Sequence, residues 1–271
     1  MSYNCQKKDS IIDSHIQMPK LLLKRFHNDK HKFYYYDVLG CYIGKNGTAE
    51  STNTELGYYS AEAEQFFSDA IESPIGQILA YVDEKGFDKE TLSVTSKIDE
   101  TVKNFFCSLI SRDPSLIKKM HEEGSLITLL SERDQHDYAA INGILLSQEA
   151  NVFSEYIVTF MINRTTIPFV LPVCGLYSFS FNGHTVINLP VSPETAICLI
   201  HRDYAERLLH KDGAISMFEI SDEVVIHRMN GWAFSAQLKQ KYGRIVCPSR
   251  NELDRLKKIN DSAISNSKPE A

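Results

Sequence analysis

A few polar side chains stand in positions where their chemistry needs an explanation. Glu64 has helical spacing with Phe67 and Ile71, so its carboxylate shares the apolar face of a predicted helix. Such a carboxylate needs a partner, because an unpaired charge is costly away from water. Glu72 stands at the predicted C-terminal end of the same helix, where the helix dipole disfavours a negative charge. Acidic groups placed against local preference are typical of a site near a cation, an arginine or a ligand.

Two further residues complete the predicted catalytic set. His15 stands four residues before Pro19 and is suited either to act as a general base or to donate to a nearby carbonyl. Arg112, in the segment Ser-Arg-Asp-Pro, is suited to pair with the acidic groups. Two interpretations stay open. The residues form a catalytic group, or the carboxylates form a structural ion pair with Arg112, and the ion pair is preferred.

A second set of residues is predicted to bind rather than to react. Asn230 and Gln237 are seven residues apart, almost two helical turns, so their amides lie on one helix face. They are suited to address one ligand or one buried backbone edge. Trp232 between them is predicted to lie in the core. Lys24 and Arg25 belong to a basic stretch that is suited to contact phosphate groups.

The familiar catalytic and metal-binding motifs are missing from the sequence. There is no G-x-G-x-x-G, no Walker P-loop, no H-E-x-x-H and no G-x-S-x-G. His136-Asp137 is similar to the metal-binding dipeptide of some phosphohydrolases, but its neighbours add no further ligand, so no metal site is predicted. The six cysteines are scattered without a C-x-x-C pair, which predicts reduced, mostly buried thiols in a cytoplasmic protein.

Charge is distributed unevenly along a chain whose net charge is −6. Residues 1–32 carry seven Lys or Arg against three Asp, and residues 239–258 carry seven against two acidic residues. If the two basic ends meet in space they could contact the phosphates of a nucleic acid, and otherwise they are solvated faces. The longest apolar stretches are too short or too interrupted to span a bilayer, so no membrane contact is predicted.

The pattern of elements predicts an α+β fold. Apolar and aromatic runs on both sides of residues 27–30 predict two strands, and residues 41–57 are rich in loop-forming residues. Residues 58–162 are predicted to be mainly helical, with Ser60 as an N-cap and a helix boundary at Ser73-Pro74. Asn182-Gly183 predicts a C-terminal hairpin.

Strands at both ends, with helices between them, predict a single domain over residues 1–259. The terminal strands and the C-terminal hairpin are expected to share one sheet. The polar sequence of residues 260–271 predicts a disordered tail.

Several short motifs together resemble a bacterial family, domain-of-unknown-function family 4238. The matching segments are Met18-Pro19, Leu22 to Phe26, Phe33 to Asp37, Tyr59-Ser60 with Glu64, Glu72-Ser73-Pro74, Ser111 to Pro114, Leu189 to Pro193, and Asn230. The chain departs from the family pattern at His15, which is one residue further from the proline. It also has Val170-Leu171-Pro172-Val173 where relatives often carry Ser-Asp-Asn-Pro. The resemblance implies a bacterial cytosolic protein and supports the choice of site residues.

Two classes of function follow from the sequence. The first is a non-enzymatic binding or regulatory module with a protein partner or a ligand, in which the polar residues hold the core together. The second is a metal-dependent nuclease, or another phosphodiester hydrolase, that uses Glu64, Glu72 and His15 with Mg²⁺ or Mn²⁺. A toxin or a phage-defence effector is one setting for such an enzyme. The missing nuclease signatures favour the binding module.

Overall fold

A computed structural model describes residues 13–85, 96–123, 130–181, 183–208, 217–240 and 243–266. The strands are β1 (Asp13–His15), β2 (Phe33–Asp37), β3 (Tyr42–Gly47), β4 (Thr54–Leu56), β5 (Tyr156–Asn163), β6 (Leu171–Pro172), β7 (Tyr177–Phe181), β8 (His184–Pro190), β9 (Thr195–His201), β10 (Met217–Ile220) and β11 (Arg244–Cys247). The helices are α1 (Lys20–Arg25), α2 (Ala61–Phe66), α3 (Ser73–Lys85), α4 (Ser96–Ser111), α5 (Pro114–Glu122), α6 (Glu132–Glu149), α7 (Arg202–Leu208), α8 (Glu223–Leu238) and α9 (Arg250–Asn266). The fold is α+β, as the sequence predicts.

The described strands form three sheets. A four-stranded antiparallel sheet has the order β3-β2-β11-β6, and a five-stranded sheet has the order β10-β5-β9-β8-β7. A short pair, β1 with β4, makes the third. Strand β2 from the N-terminal part pairs with β11 from the C-terminal part, as predicted for the terminal strands. The predicted hairpin forms between β7 and β8, although Asn182 lies outside the described residues.

The prediction that this hairpin shares a sheet with the terminal strands is wrong. Strand β8 pairs with β9, and β9 pairs with β5, so the hairpin belongs to the five-stranded sheet. The chain enters that sheet at β5, which the sequence predicts as the last part of the helical middle. The run Tyr156–Asn163 is rich in β-branched and aromatic residues, which fit a pleated surface better than a helix.

Two N-terminal predictions also need correction. Residues 20–25 form helix α1 instead of a strand, with Leu22 and Leu23 buried and Phe26 fully buried just after the helix. The basic residues Lys24 and Arg25 occupy its last turn, where the helix dipole favours positive charge. Within the predicted loop 41–57, the chain forms strands β3 and β4.

The helix that carries both glutamates is continuous. Ser60 caps α2 as predicted, since its hydroxyl accepts from the Ala63 N–H at 3.1 Å. A π-helical segment, Phe67–Glu72, then joins α2 directly to α3. The predicted boundary at Ser73-Pro74 is therefore wrong. Pro74 has no N–H to donate, and the wider π-helical turn before it lets the helix continue past the proline.

At the C-terminus, α9 continues to Asn266, so the predicted disordered tail is wrong for residues 260–266. Residues 267–271 lie outside the described part. The four-stranded sheet packs on α8 and α9 through one cluster of buried side chains, including Tyr36, Phe234, Ile245 and Leu253. A larger cluster joins α1, the π-helical segment, α4 and β5, and it forms the wall behind the predicted catalytic residues.

Candidate functional site

Arg112 is the centre of the predicted catalytic set. It follows the last residue of α4, and its side chain is 0% exposed. Its Nη1 atom lies 3.1 Å from Oε1 of Glu72, and its Nη2 atom donates to the backbone carbonyl oxygen of His15. The guanidinium also lies over the rings of Phe67 and Tyr59, 4.4 Å and 5.5 Å from their centroids. Arg112 therefore ties α4, the π-helical segment and β1 to one another.

Glu64 belongs to the same cluster. Its Oε1 atom is buried and has no hydrogen-bond partner among the described residues. Burial raises the pKa of the Glu64 carboxyl above its usual value, while the nearby charge of Arg112 and the Ser14 hydroxyl act against the rise. The carboxylates of Glu72 and Asp137 add to it. Glu64 is therefore a carboxyl group that its surroundings favour in the protonated form.

His15 meets Arg112 through its backbone, since the atom that accepts from the guanidinium is the carbonyl oxygen. The sequence had left two roles open for this residue, a general base or a hydrogen bond in the local structure. The contact with Arg112 uses neither ring nitrogen of His15. It fixes the end of β1 against the end of α4 across 97 positions in the chain.

The structure thus brings His15, Glu64, Glu72 and Arg112 together, as the sequence predicts. Chemically, however, the guanidinium is closed to solvent and already bound, so it has no access to a substrate phosphate. Within the described residues, no group of three or more His, Cys, Asp or Glu side chains is placed to hold a metal ion. The sequence predicted Glu72 at the C-terminal end of a helix, where the helix dipole disfavours a negative charge. This prediction is wrong, because Glu72 lies inside a continuous helix.

His136 and Asp137 hold the loop that leads into α2. The His136 ring stacks on Tyr58, with centroids 3.9 Å apart, and its Nδ1 atom lies 3.1 Å from the Tyr58 carbonyl oxygen. One carboxylate oxygen of Asp137 accepts from the Ser60 N–H at 3.0 Å. Both residues therefore position the helix that carries Glu64.

Asn230 and Gln237 bind a backbone edge, which is one of the two roles the sequence left open. The Asn230 side chain accepts from the Val170 N–H at 3.1 Å and donates to the Pro168 carbonyl at 2.9 Å. The Gln237 side chain accepts from the Cys174 N–H at 2.8 Å. Both amides are buried, so helix α8 holds the segment 168–174 along its length.

In the described part of the chain, six of the eleven basic residues in the two basic stretches pair with acidic residues. Arg25 forms two hydrogen bonds with Asp83, at 2.6 Å and 2.7 Å, and donates to the Val191 carbonyl at 2.7 Å, whereas Lys24 is exposed. Other pairs are Lys20–Glu50, Arg244–Asp37, Arg250–Asp254, Arg255–Glu252 and Lys257–Asp261. The sequence predicted a contact with nucleic acid through residues 1–32 and 239–258. Such a contact would have to break several of these ion pairs. Residues 1–12 and 241–242 of these stretches lie outside the described part.

A cleft of about 730 Å³ was not predicted from the sequence. It lies between the β1–β4 pair and the start of α5 on one side, and the ends of α8, β6, β2 and the start of β11 on the other. Its lining residues are Ile16, Gln17, Asp37, Leu39, Asn53, Glu55, Tyr58, Pro114, Ser115, Lys118, Val173, Cys174, Gln237, Lys239, Gln240, Gly243 and Arg244. Because short segments from distant parts of the chain build the cleft, no motif in the sequence marks it.

The floor of the cleft is rigid and unreactive. Burial raises the pKa of the Cys174 thiol to about 12, so the thiol is not a nucleophile near neutral pH. The backbone at Gly243 has a φ of +151°, and a Cβ there would lie 2.2 Å from Nε2 of Gln237. The floor therefore needs glycine at this position, with the Gln237 amide packed against it.

Comparison with models of protein families, with curated proteins and with solved structures finds no match to this chain. The resemblance to domain-of-unknown-function family 4238 therefore stays a prediction. In the described part of the chain, no helix is both long and apolar enough to cross a membrane.

Proposed function

We propose that the protein is a non-enzymatic binding module whose ligand occupies the cleft. The observation that carries this proposal is the complete burial of Arg112 in contact with Glu72 and the His15 carbonyl. A guanidinium held in this way stabilises the fold and positions β1 beside the cleft. The residues that looked catalytic are then the support of a binding site.

The size and the lining of the cleft support this function. Small-molecule sites usually have volumes between roughly 300 and 1,000 Å³, and a volume of about 730 Å³ falls in that range. Charged and polar groups line the cleft together with the apolar side chains of Ile16, Leu39 and Val173, and such a mixture is usual in a small-molecule site. The Cys174 thiol is protonated near neutral pH, so it supplies no nucleophile.

A thermal-shift screen of small metabolites against the whole protein tests the proposal. A compound that raises the melting temperature is then tested against Gln240→Trp, which fills the cleft from the end of α8. The matched control is Ser235→Trp, an exposed position on α8, five residues before Gln240, that does not line the cleft. We expect the shift to vanish in Gln240→Trp and to persist in Ser235→Trp. Equal shifts in both variants would contradict the proposed site.

One observation favours a second function, hydrolysis of a phosphodiester. Glu64 and Glu72 lie around one arginine, and the raised pKa of Glu64 suits a general acid. Labelled RNA and DNA, incubated with the protein and Mg²⁺ or Mn²⁺, test this alternative across a salt series. Cleavage by the wild type that is lost in Glu64→Ala and His15→Ala, with folding intact, would replace the binding proposal.

The cellular setting belongs to the same proposal. The resemblance to domain-of-unknown-function family 4238 implies a bacterial cytoplasmic location, and a role in toxin action or phage defence is proposed by analogy alone. A binding module in that setting would report the presence of its ligand to a protein partner. Affinity purification of the tagged protein, with and without a ligand found in the screen, tests whether a partner depends on the ligand.

A further inference from the structure

We infer that the cleft binds an organic anion, with the anionic group at Arg244 and Lys239 and the apolar part against Leu39 and Val173. This inference rests on the proposed function, because it names the class of ligand that the same cleft accepts. Carboxylate, phosphate and sulfonate groups share the chemistry that a guanidinium recognises.

The guanidinium of Arg244 is held in place before any ligand arrives. Its Nε atom lies 3.4 Å from a carboxylate oxygen of Asp37, and its Nη1 atom donates to the Ser51 carbonyl at 3.2 Å. The guanidinium also lies over the Tyr35 ring, 4.5 Å from the centroid. With a side chain that is 30% exposed, Arg244 is accessible from the cleft and loses little freedom on binding.

The charges that line the cleft favour an anion. The basic residues are Lys118, Lys239 and Arg244, and the acidic residues are Asp37 and Glu55. Arg244 and Asp37 offset each other, and in the described part of the chain Lys239 forms no ion pair. Lys118 lies 3.6 Å from Glu122 in a pair so exposed that the attraction is weak.

The carboxylate of Asp113 lies near the cleft and contributes a negative charge there, since it raises the pKa values of Tyr58 and Cys174 in the lining. It accepts from the Ser115 N–H at 2.8 Å and from the Ser115 hydroxyl at 2.7 Å, at the start of α5. Lys118 and Lys239 are then opposed in the lining by Glu55, which is exposed. The lining itself carries one more basic than acidic residue, and Lys239, which forms no ion pair in the described part of the chain, is the group that favours an anion over a neutral molecule of the same shape.

Apolar side chains in the lining, above all the exposed Leu39, call for an apolar part in the ligand. Leu39 is 66% exposed at the rim, while Val173 and Tyr58 are mostly buried in the walls. A ligand with an aromatic or aliphatic body would cover Leu39 and remove its apolar surface from water. A small inorganic anion would leave this surface uncovered, so an organic anion fits better.

The test uses two fluorescent dyes with the same aromatic body. Anilinonaphthalene sulfonate is an anion, and N-phenylnaphthylamine is its neutral counterpart without the sulfonate. We expect the sulfonate to bind the wild type about tenfold more tightly than the neutral dye, because a charge-assisted hydrogen bond adds to the same apolar contact. Added salt should weaken binding of the sulfonate dye and leave binding of the neutral dye unchanged.

Four variants locate the anionic group. Arg244→Gln and Lys239→Gln should each lower the affinity for the sulfonate dye about three- to tenfold and leave the affinity for the neutral dye unchanged. Arg244→Lys keeps the positive charge but removes the planar guanidinium group. Retained affinity for the sulfonate dye would show that the charge is enough, and reduced affinity that the guanidinium geometry is needed. Lys258→Gln, at an exposed position that does not line the cleft, is the control and should change neither dye. Because Lys239 has no structural partner in the described part, its variant tests the inference even if Arg244→Gln fails to fold.

The outcomes separate this inference from the proposed function. If Gln240→Trp abolishes binding of both dyes but the two charge variants change nothing, the anion inference is overturned and the binding cleft stands. If Gln240→Trp leaves sulfonate binding unchanged, the anion lies elsewhere, and both the inference and the proposed site are overturned. Loss of sulfonate binding in the charge variants and in Gln240→Trp supports both.

Discussion

At the scale of single residues, Arg112 decides how the predicted catalytic set is interpreted. Its guanidinium is fully buried and paired with Glu72, whose side chain is 23% exposed. Removal of one member of a buried ion pair leaves the other charge uncompensated. We expect Arg112→Ala to lower the free energy of unfolding by about 3 kcal/mol, measured by urea denaturation.

Arg250→Ala is the matched control for that substitution. Arg250 pairs with Asp254 on the surface of α9, and both side chains are well exposed. An exposed pair contributes little, so the free energy of unfolding should change by no more than about 0.5 kcal/mol. Equal losses in Arg112→Ala and Arg250→Ala would contradict a structural role for the buried arginine.

The raised pKa of Glu64 gives a prediction about pH. Because the folded state raises this pKa, the unfolded chain ionises Glu64 more easily, and the residue costs stability that builds up as pH rises from the unfolded-state pKa to the folded-state pKa. Glu64→Gln removes the ionisation, so the variant should be more stable than the wild type at neutral pH. The difference should shrink as pH falls and vanish below the usual glutamate pKa of 4.5.

Urea denaturation at a series of pH values measures this difference. Glu62→Gln is the control, since Glu62 is exposed on the same helix and its substitution should change the stability by only a few tenths of a kcal/mol. A Glu64→Gln protein that is less stable than the wild type at neutral pH would show that the ionised carboxylate supports the fold. Such a result would also weaken Glu64 as a general acid.

At the scale of elements, the close crossing of α4 and α6 depends on a glycine. A Cβ at Gly143 would lie 2.7 Å from Oγ and 2.8 Å from Cβ of the buried Ser111. Gly143→Ala should therefore lower the free energy of unfolding by about 1 kcal/mol or more, since overpacking outweighs the gain in helix propensity. Gly76→Ala on α3 meets nothing within 4 Å and should raise the stability by about 0.5–1 kcal/mol.

Thermal or urea unfolding of the two alanine variants provides the measurement. The same substitution is expected to have opposite signs at two helical glycines, so propensity alone predicts the wrong result for one of them. If both variants gained stability, the α4–α6 contact would have to be looser than the structure shows.

Local signals in the sequence predicted the elements that local chemistry decides. The Ser60 cap, the strand at Phe33–Asp37 and the β7–β8 hairpin all depend on a few neighbouring residues. The prediction of helix for the run Tyr156–Asn163 was wrong, because its partner strand β9 lies about forty residues further along the chain and no local signal marks the pairing. The π-helical segment had no distinctive pattern either, and it moved Glu72 from a helix end into a helix interior.

The candidate site, too, could be predicted only where neighbouring residues in the sequence determine it. Sequence reasoning found the residue types that meet at Arg112, because a carboxylate on an apolar face requires a partner. It could not tell that the His15 contact is made by the backbone carbonyl, or that Arg112 is closed to solvent. The cleft is formed by loops and element ends that meet only in the folded chain, so single-sequence patterns carry no sign of it.

At the scale of the whole molecule, the two ends of the chain depend on each other. Strand β11 lies in the interior of the four-stranded sheet, between β2 and β6, and α9 packs on the same sheet. In the described residues of this C-terminal segment, five apolar side chains are buried, namely Ile245, Val246, Cys247, Leu253 and Leu256. The start of β11 also lines the cleft. Loss of the segment would thus remove a strand, a core and part of the proposed site together.

We therefore expect deletion of residues 244–271 to abolish cooperative unfolding. Burial of one large apolar side chain contributes about 1.5–3 kcal/mol, and five of them together are comparable to the 5–15 kcal/mol that stabilises a typical domain. Circular dichroism during thermal denaturation measures the loss against the full chain. Addition of the separate 244–271 peptide should restore part of the transition, because β11 can pair again with β2 and β6. A truncated protein that unfolds cooperatively by itself would show that the N-terminal part folds without its partner strand.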